Sequence, residues 1–341
     1  MDAFHSRWLA TSFVAIAALL GGCGRDEGDA NATRPILLKG ASQFDEHHAF
    51  SRTLSKFAEL VKTYYPGPVE FELYLNSELG LEKDYFAYMN QGTSVDYGIV
   101  SPAHMSTFSK LAPLMDMPFV FRDMDHWNAV LESDALQPIV EEVQRRAEVM
   151  ILGYAGGGVR NLVANQPVTN LAGLKGLEMR VMGAPIQTRI FQAIGASPTV
   201  IAYNEVYNAI QTGVIDAAEN EAAGIRQMKF HEVGPEVSLT RHAITVRPLC
   251  FSGKTFRRLP RTLQAAIRRA GKEAGAYGRQ LESKEDAEIL HAMESEGKLR
   301  THPFPERDAL LRRAAPVQRD YADQIGAQEM LARISALQAD P

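Results

Sequence analysis

Two arginines and one asparagine stand at spacings that suit the capture of a negatively charged solute. Arg180 lies in the short apolar segment GLEMRVMG, Arg160 precedes it by twenty residues in GGGVRN, and Asn220 follows it by forty residues in DAAENEAAG. A guanidinium group stays charged and presents a planar fork of donors that matches both oxygens of a carboxylate. An amide adds a further donor. The three residues could therefore form a carboxylate-binding site if the fold brings them together. For Arg180 the alternative is a solvated face of an edge strand.

Strand-like and helix-like segments alternate along the chain and would have to position these residues. Candidate strands are PILLKGAS, VEFELYL and VDYGIVSP, whereas HHAFSRTLSKFAELVKTYY has apolar residues at helical spacing. Such alternation predicts two α/β lobes, each with a mixed, largely parallel sheet covered by helices. We expect one helix over residues 125–147, and the spacing allows Arg160 and Arg180 to lie on neighbouring strands.

One predicted helix is longer than a single lobe. Residues 261–296 contain no proline and keep apolar residues near helical spacing from Leu263 to Met293. At ~1.5 Å per residue such a helix reaches roughly 50 Å, whereas a lobe of about 150 residues is only some 30 Å across. The helix is therefore expected to run along both lobes. A break near Gly275 or Gly278 is the alternative.

The N-terminal residues predict export. After His5 and Arg7 the chain reads LATSFVAIAALLGG, an uncharged apolar stretch that fits the core of a signal peptide and is short for a membrane span. Cys23 ends LGGC, which resembles the lipobox of bacterial lipoproteins. We expect residues 1–23 to be a lipoprotein signal peptide with lipidation at Cys23, and the polar residues 24–34 to be a flexible tether. A leftover thiol beside an ordinary cleavage site is the alternative.

These features predict a periplasmic protein that contacts the membrane only through its N-terminal lipid anchor. The chain of 341 residues carries a formal net charge of −5 and has no long basic run. Nucleic acid is therefore not an expected partner.

Cysteine usage and absent motifs argue against catalysis. Besides Cys23 the chain has only Cys250, in the strand-like run TVRPLCFSG, where we expect a small apolar core residue. The hydrolase motifs GxSxG and HExxH and the phosphate loop GxxxxGK[ST] are absent. His47 and His48 are adjacent, so on a helix their side chains point about 100° apart, and we expect a cap or a cleft wall rather than a metal site. No enzyme activity, cofactor or metal is expected.

A longer pattern resembles a known family. Residues 158–220, from GVRNLVANQPVTNLAGLKGLEMRV to VIDAAEN, are similar to the core signature of DctP-type substrate-binding proteins of TRAP transporters. Further matches are LNSELG, MPFVF and LTRHAITVRPLCFSGKTFRRLP, so the resemblance covers about residues 34–320. It implies a two-lobed, type II-like periplasmic binding protein fold of the TRAP/DctP subtype, with cross-over strands and a long helix spanning both lobes.

The resemblance also implies function. Such a receptor closes around a small organic acid and delivers it to a TRAP membrane permease driven by an ion gradient. We expect a monomer whose lobe I comprises residues 35–156 plus 247–285 and whose lobe II comprises residues 157–246 plus 286–341. A ligand-presenting partner of a periplasmic sensor, with the same pocket and no permease, is the alternative.

Site roles carry over residue by residue. Arg180 corresponds to the arginine that binds the ligand carboxylate, and Arg160 and Asn220 correspond to further ligand-binding positions. Tyr203, at the start of the EVY segment, matches an aromatic that touches the ligand in some members. For Arg160 the alternative is a structural role, in which it pairs with a carboxylate and braces the pocket; for Tyr203 it is core packing.

Four more polar residues are expected at the ligand site. Gln43 ends the first strand and Glu82 follows the LG turn, with solvated positions as the alternative. Glu221 and Arg247 depart from the usual family pattern. Because Glu221 would repel a second carboxylate but accept hydrogen bonds from hydroxyl groups, we favour a uronate or aldonate. A C4-dicarboxylate is the alternative if Arg247 faces the cleft, where it could pair with a second charge.

Overall fold

The computed structural model describes residues 34–338. The predicted signal peptide, Cys23 and nearly all of the predicted tether lie outside these residues, so those expectations remain predictions. No helix among the described residues is long and apolar enough to cross a membrane.

Helices and strands alternate along residues 34–338, as the sequence pattern predicts. The strands are β1 (Ile36–Ala41), β2 (Val69–Tyr74), β3 (Tyr97–Ile99), β4 (Val149–Ala164), β5 (Glu178–Val181), β6 (Ser197–Val200), β7 (Ala217–Asn220), β8 (Glu236–Ser252) and β9 (Arg300–Pro303). The first α-helices are α1 (Ala49–Tyr64), α2 (Glu82–Gln91), α3 (Met124–Glu132), α4 (Gln137–Ala147), α5 (Leu171–Leu174), α6 (Pro185–Ile194) and α7 (Val206–Gln211). The remaining α-helices are α8 (Ala222–Gln227), α9 (Phe230–Val233), α10 (Gly253–Arg258), α11 (Arg261–Ser295), α12 (Arg307–Ile325) and α13 (Gln328–Ala336). Short 3₁₀ helices cover Pro102–Met105, Ala112–Leu114 and Tyr203–Glu205.

The strands form one mixed sheet in the order β2-β1-β3-β8-β4-β7-β5-β6, with β9 paired to β8. Pairing is parallel towards both ends of this order, where β1 pairs with β2 and β3 and where β5 pairs with β6 and β7. Strands β4 and β8 are antiparallel to each other, β8 is antiparallel to β3, and β4 is antiparallel to β7, whereas β9 is parallel to β8. The predicted α/β fold with a mixed sheet is confirmed.

Arg160 and Arg180 do not lie on neighbouring strands, so that expectation is wrong. Strand β7 lies between them, because it pairs with β4 through Leu162 and Glu219 and with β5 through Met179 and Ala217. β7 comes later in the chain than both arginines, so the spacing of twenty residues between them does not reveal that it lies between their strands.

The two long strands β4 and β8 connect the halves of the sheet. They pair from Val149 opposite Ser252 to Ala164 opposite Glu236, and the register shifts between Gly156 and Val159. Gly156 and Gly157 have φ angles of 113° and 119° at this shift, a conformation that favours glycine.

The predicted lobe boundaries fall inside β4, β8 and α11. Each boundary between lobe I (residues 35–156 plus 247–285) and lobe II (residues 157–246 plus 286–341) therefore lies within one of the three long elements. The division itself remains a prediction.

The single helix expected over residues 125–147 is wrong. Helix α3 ends at Glu132, and α4 begins at Gln137 with Pro138 in its first turn, where the missing N–H of proline costs nothing. Between them the hydroxyl of Ser133 donates to the carbonyl of Val130 and accepts from the N–H of Ala135. This local pairing competes with helix continuation, and apolar spacing does not report it.

Helix α11 is continuous over Arg261–Ser295, which confirms the long helix and excludes the predicted alternative of a break. Its glycines allow the helix to approach β4 closely. A Cβ atom on Gly275 would lie 2.6 Å from the backbone nitrogen of Tyr154, and one on Gly271 would lie 2.3 Å from the Cβ of Leu152. Close packing thus offsets the roughly 1 kcal/mol by which glycine disfavours a helix.

Cys250 is fully buried in β8, between β3 and β4. Burial raises the pKa of its thiol, so the neutral form persists. The residue packs as the small apolar group that the strand-like run predicts.

We expect Gly275→Ala to destabilise the protein although alanine favours helix formation. The added methyl group meets backbone atoms of β4, and overpacking of this kind costs about 1–3 kcal/mol. Gly183→Ala is the matched control, because its new Cβ would lie an ordinary 3.7 Å from a methyl group of Val200. Urea unfolding measures both; equal or greater stability of Gly275→Ala would show that α11 does not depend on this close approach.

Candidate functional site

A small cavity lies between residues that follow β1 and β3 and residues in or next to β5 and β7, with one residue each of β4 and β8 in its lining. The cavity has a volume of about 20 Å³, room for roughly one water molecule. All eight residues predicted to bind ligand line this cavity: Gln43, Glu82, Arg160, Arg180, Tyr203, Asn220, Glu221 and Arg247. Four residues that were not predicted line it as well: Phe44, Ser101, His104 and Met182.

A larger space of about 400 Å³ adjoins the cavity. Gln43, His104, Arg180 and Tyr203 line both spaces, and Lys83 lines the larger one. We call the small space the inner cavity and the large one the outer chamber. Arg180 therefore lies at the junction between the two.

Arg180 is buried in β5 with only 3% of its surface exposed, so it does not lie on a solvated strand face. Its Nε donates to the carbonyl of Ile201 at 3.0 Å, and its guanidinium carbon lies 5.5 Å from the ring centroid of Tyr203. Within residues 34–338 this is the only hydrogen bond of the Arg180 side chain, and no carboxylate lies within ion-pair distance of its guanidinium group. Burial lowers the pKa of Arg180 from its ordinary value, as expected for a cation lacking a close countercharge.

Arg160, in β4, has a different environment, because every guanidinium nitrogen has a partner. Its Nε and Nη2 donate to the carboxylate of Glu219 at 2.5 and 2.9 Å, and Nη2 also donates to the Glu219 carbonyl at 2.8 Å. Its Nη1 donates to Glu221. This pairing supports the alternative in which Arg160 braces the pocket.

Glu219, which the sequence reading did not single out, completes the brace. His242 Nε2 lies 3.0 Å from the Glu219 Oε2 that also accepts from Arg160. Burial raises the pKa of Glu219, but Arg160 and His242 outweigh that effect and hold it well below its usual range. The carboxylate therefore remains ionised inside the protein.

Asn220 and Tyr203 form a second fixed unit. The amide of Asn220 donates to the Tyr203 hydroxyl at 2.7 Å and accepts from the N–H of Glu221 at 3.1 Å. Gly224 makes this arrangement sterically feasible, because a Cβ there would lie 2.4 Å from the amide nitrogen of Asn220. Burial raises the pKa of Tyr203, so its hydroxyl stays protonated.

Glu82 and Gln43 form a polar wall on the opposite side. Glu82 begins α2 and is buried; its carboxylate accepts from the N–H of Ser101 at 2.5 Å and from the amide of Gln43 at 3.2 Å. Burial raises the pKa of Glu82, partly offset by the charge of Arg247. Gln43 and Glu82 therefore lie at the cavity, as predicted, and are hydrogen bonded to each other rather than solvated.

Arg247, in β8, also lines the inner cavity. Its Nη1 donates to the carbonyl of Val246 at 3.1 Å and lies 3.9 Å from Asp116, while the guanidinium lies 5.5 Å from the ring centroid of Phe50. Its Nε has no hydrogen-bond partner among the described residues. Asp116 was not predicted, although it directly precedes the family-like segment MPFVF. Burial raises its pKa to about 6.

Helix α11 contributes two buried acids, Glu282 and Asp286, which were not predicted because the helix is rich in charged residues. Asp286 accepts from the N–H groups of Val159 and Ala222, both at 2.9 Å. Glu282 accepts from the Thr245 hydroxyl at 3.1 Å, and its other oxygen has no partner within the described part of the chain. Burial raises the pKa of Glu282 to about 8, and the charge of Glu221 acts in the same direction.

His48 caps α1, one of the two roles expected for the histidine pair. Its Nδ1 accepts from the N–H of Phe50 at 3.2 Å, and burial lowers its pKa to about 4. His47 is exposed. Because α1 begins at Ala49 and His48 is extended, both histidines precede the helix, and the predicted 100° angle between helical side chains does not apply to them.

Comparison with known proteins identifies the family. The family model described as bacterial extracellular solute-binding protein, family 7 (DctP), matches residues 41–324. The chain belongs to this family. The resemblance to DctP-type receptors of TRAP transporters is thereby confirmed, and the family comprises solute-binding receptors rather than enzymes.

Two solved structures resemble this family 7 protein closely. A TRAP periplasmic solute-binding protein from Sulfitobacter sp. NAS-14.1, with bound α-D-taluronate, is 56% identical with a TM-score of 0.87, covering 88% of this chain and 97% of that chain. Another, from Roseobacter denitrificans OCh 114 with bound L-galactonate, is 28% identical with a TM-score of 0.80, covering 88% and 99%. The C4-dicarboxylate-binding periplasmic protein DctP of Rhodobacter capsulatus is 26% identical over 90% of this chain and 92% of that protein.

We expect Arg160→Met to destabilise the fold by about 3–5 kcal/mol, because Glu219 and Glu221 would remain buried without their countercharge. Arg312→Met, at an exposed position of α12, is the matched control. Chemical unfolding at neutral pH measures both. A loss no larger than that of the control would contradict the bracing role.

Glu282→Gln is expected to stabilise the protein increasingly as the pH rises from about 4.5 to about 8. The folded state holds the Glu282 proton up to a pKa of about 8, whereas the unfolded chain releases it near 4.5, so wild-type stability falls as pH rises through this window. Glutamine removes the dependence. Urea unfolding from about pH 4 to about pH 8 should show a widening advantage over wild type. The exposed Glu288→Gln is the control, and a constant difference would contradict the buried, protonated carboxyl.

Proposed function

We propose that this family 7 protein is the extracytoplasmic receptor of a TRAP transporter and captures a uronate or an aldonate for delivery to the membrane permease. The observation that carries the proposal is the buried guanidinium of Arg180, which lines the inner cavity and makes a single hydrogen bond within residues 34–338. A buried charge without a countercharge is unfavourable. A ligand carboxylate would supply the missing charge.

The free nitrogens of Arg180 suit a carboxylate geometrically. Because Nε already donates to Ile201, Nη1 and Nη2 remain for the ligand oxygens. Hydrogen bonds to charged groups contribute roughly 1.5–3 kcal/mol each, so two of them supply a large part of the ~8 kcal/mol that micromolar binding requires. Binding energy would thus concentrate on this residue.

The remaining polar groups favour a ligand rich in hydroxyl groups. Glu82, Glu221 and Gln43 present acceptor oxygens to the inner cavity, and hydroxyl groups are donors. A second ligand carboxylate would face the charges of Glu82 and Glu221. The sugar acids bound to the Sulfitobacter and Roseobacter relatives support the same ligand class.

A C4-dicarboxylate is the second candidate. One observation favours it: the Nε of Arg247 has no hydrogen-bond partner in the described chain, and its nearest carboxylate oxygen, on Asp116, is 3.9 Å from Nη1. A second carboxylate could pair with this arginine. The name of the Rhodobacter relative supports the candidate, whereas the acidic groups beside Arg247 oppose it.

Capture of either ligand requires motion. A six-carbon acid does not fit in about 20 Å³, so the walls of the inner cavity must separate to admit it. The walls come from loops after β1 and β3 on one side and from β5 and β7 on the other, the two sets assigned to lobes I and II. We propose that the ligand favours the closed form through contacts that it makes only there, and that the permease recognises this form.

The location of the receptor follows from the N-terminal sequence. We propose a periplasmic monomer tethered through a lipid on Cys23, with residues 24–34 as the linker. The extracellular character of the family supports the periplasmic location.

Arg180→Lys is expected to weaken binding of sugar acids by about a hundredfold or more, because an ammonium group cannot hold both carboxylate oxygens in a planar fork. Calorimetry with D-taluronate, D-galacturonate, L-galactonate and succinate measures the effect and separates the two ligand classes. The exposed Arg189→Lys is the matched control. Near-native affinity in Arg180→Lys would refute the assignment, and preference for succinate would replace the sugar acid with the second candidate.

A further inference from the structure

His104 occupies a position that the sequence reading did not recognise. It lies in the 3₁₀ helix Pro102–Met105, directly after β3, and its N–H donates to the carbonyl of Ser101 at 3.0 Å. This short helix directs the imidazole to the junction of the two spaces, because His104 lines both the inner cavity and the outer chamber. Arg180 lines the same junction.

The ring of His104 has no hydrogen-bond partner in the described part of the protein. Several other polar groups of the inner cavity are engaged: Glu221 with Arg160, Asn220 with Tyr203, and Glu82 with Ser101 and Gln43. Arg180 and Arg247 keep free guanidinium nitrogens, but these only donate, whereas the His104 ring also offers an acceptor. Both ring nitrogens of His104 are therefore free for a ligand that enters the junction.

The charge around His104 determines what it can bind. Burial lowers its pKa to about 3, and the positive charges of Arg180, Arg247, Lys83 and Arg160 act in the same direction. The ring is thus neutral, with one N–H donor and one nitrogen acceptor. It cannot form an ion pair with a carboxylate. A hydroxyl group, which also donates and accepts, matches it in both respects.

We propose that His104 is a specificity-determining residue, whose imidazole hydrogen bonds to the ligand hydroxyl on the carbon adjacent to the one that bears the carboxylate held by Arg180. The inference rests on the proposed function and deepens it, because it names the group that distinguishes hydroxylated acids from their deoxy analogues. A site that hydrogen bonds a substrate hydroxyl discriminates against the analogue lacking it, since its own polar group is left unpaired.

The test compares D-taluronate with 4-deoxy-D-taluronate, in which the hydroxyl neighbouring the carboxylate-bearing carbon is removed. Calorimetry gives the affinity ratio of the two acids for wild type, His104→Leu and His104→Gln. Leucine removes both polar functions, whereas glutamine retains a donor and an acceptor. His47→Leu is the matched control, because the His47 side chain is 82% exposed.

Wild type is expected to prefer D-taluronate by about three- to tenfold, the effect of one hydrogen bond between neutral groups. His104→Leu should bring the ratio to about one, mainly by weakening the hydroxylated acid, while His104→Gln and His47→Leu keep the preference. An unchanged ratio in His104→Leu overturns this inference and leaves the proposed function intact. If His104→Leu does not fold, His104→Ala replaces it with the same expectation. Failure of wild type to bind any of the four acids in the panel for Arg180 overturns both.

Discussion

The buried charge of Arg180 is the constraint on which the site depends. Moving a guanidinium group out of water costs several kcal/mol unless other groups replace the lost hydration. Arg160 obtains that replacement from two carboxylates and a carbonyl, whereas Arg180 has the Ile201 carbonyl and the ring face of Tyr203. Of these two arginines in one cavity, Arg160 is compensated and Arg180 is not, so only Arg180 of the pair has donors free for an anion.

The surrounding structure holds Arg180 in this condition. Glu219 and Glu221, the acids closest along the chain to Asn220, are both drawn to Arg160 and do not neutralise Arg180. Strand β7 lies between the two arginines and carries Glu219 into the brace. Helix α11 supports the arrangement from behind, because Asp286 ties the backbone of β4 to the start of α8. A site fixed in this way loses little freedom when a ligand binds.

Motifs shared with the family, together with sequence spacing, predicted the lining of the cavity better than its internal pairing. The eight residues named from the sequence meet at one cavity. Gln43, Asn220 and Glu221 lie where β1 and β7 end, a usual place for ligands in α/β sheets, whereas Arg160 and Arg247 reach the cavity from inside β4 and β8. Glu219 was missed because it alternates with Asn220 on a strand, and period-2 reasoning places it on the opposite face; β7 is buried on both faces. Glu282 was missed because a charged helix suggests solvent exposure. Which acid pairs with which arginine depends on tertiary packing, and spacing alone does not encode it.

The central claim is tested most directly by a crystal structure of the protein in complex with D-taluronate. The account predicts both carboxylate oxygens at about 3 Å from the Nη atoms of Arg180, inside a closed cleft, with Arg160 still paired to Glu219 and Glu221. A ligand whose carboxylate pairs with Arg247 instead, while the Nη atoms of Arg180 contact no ligand oxygen, would contradict it.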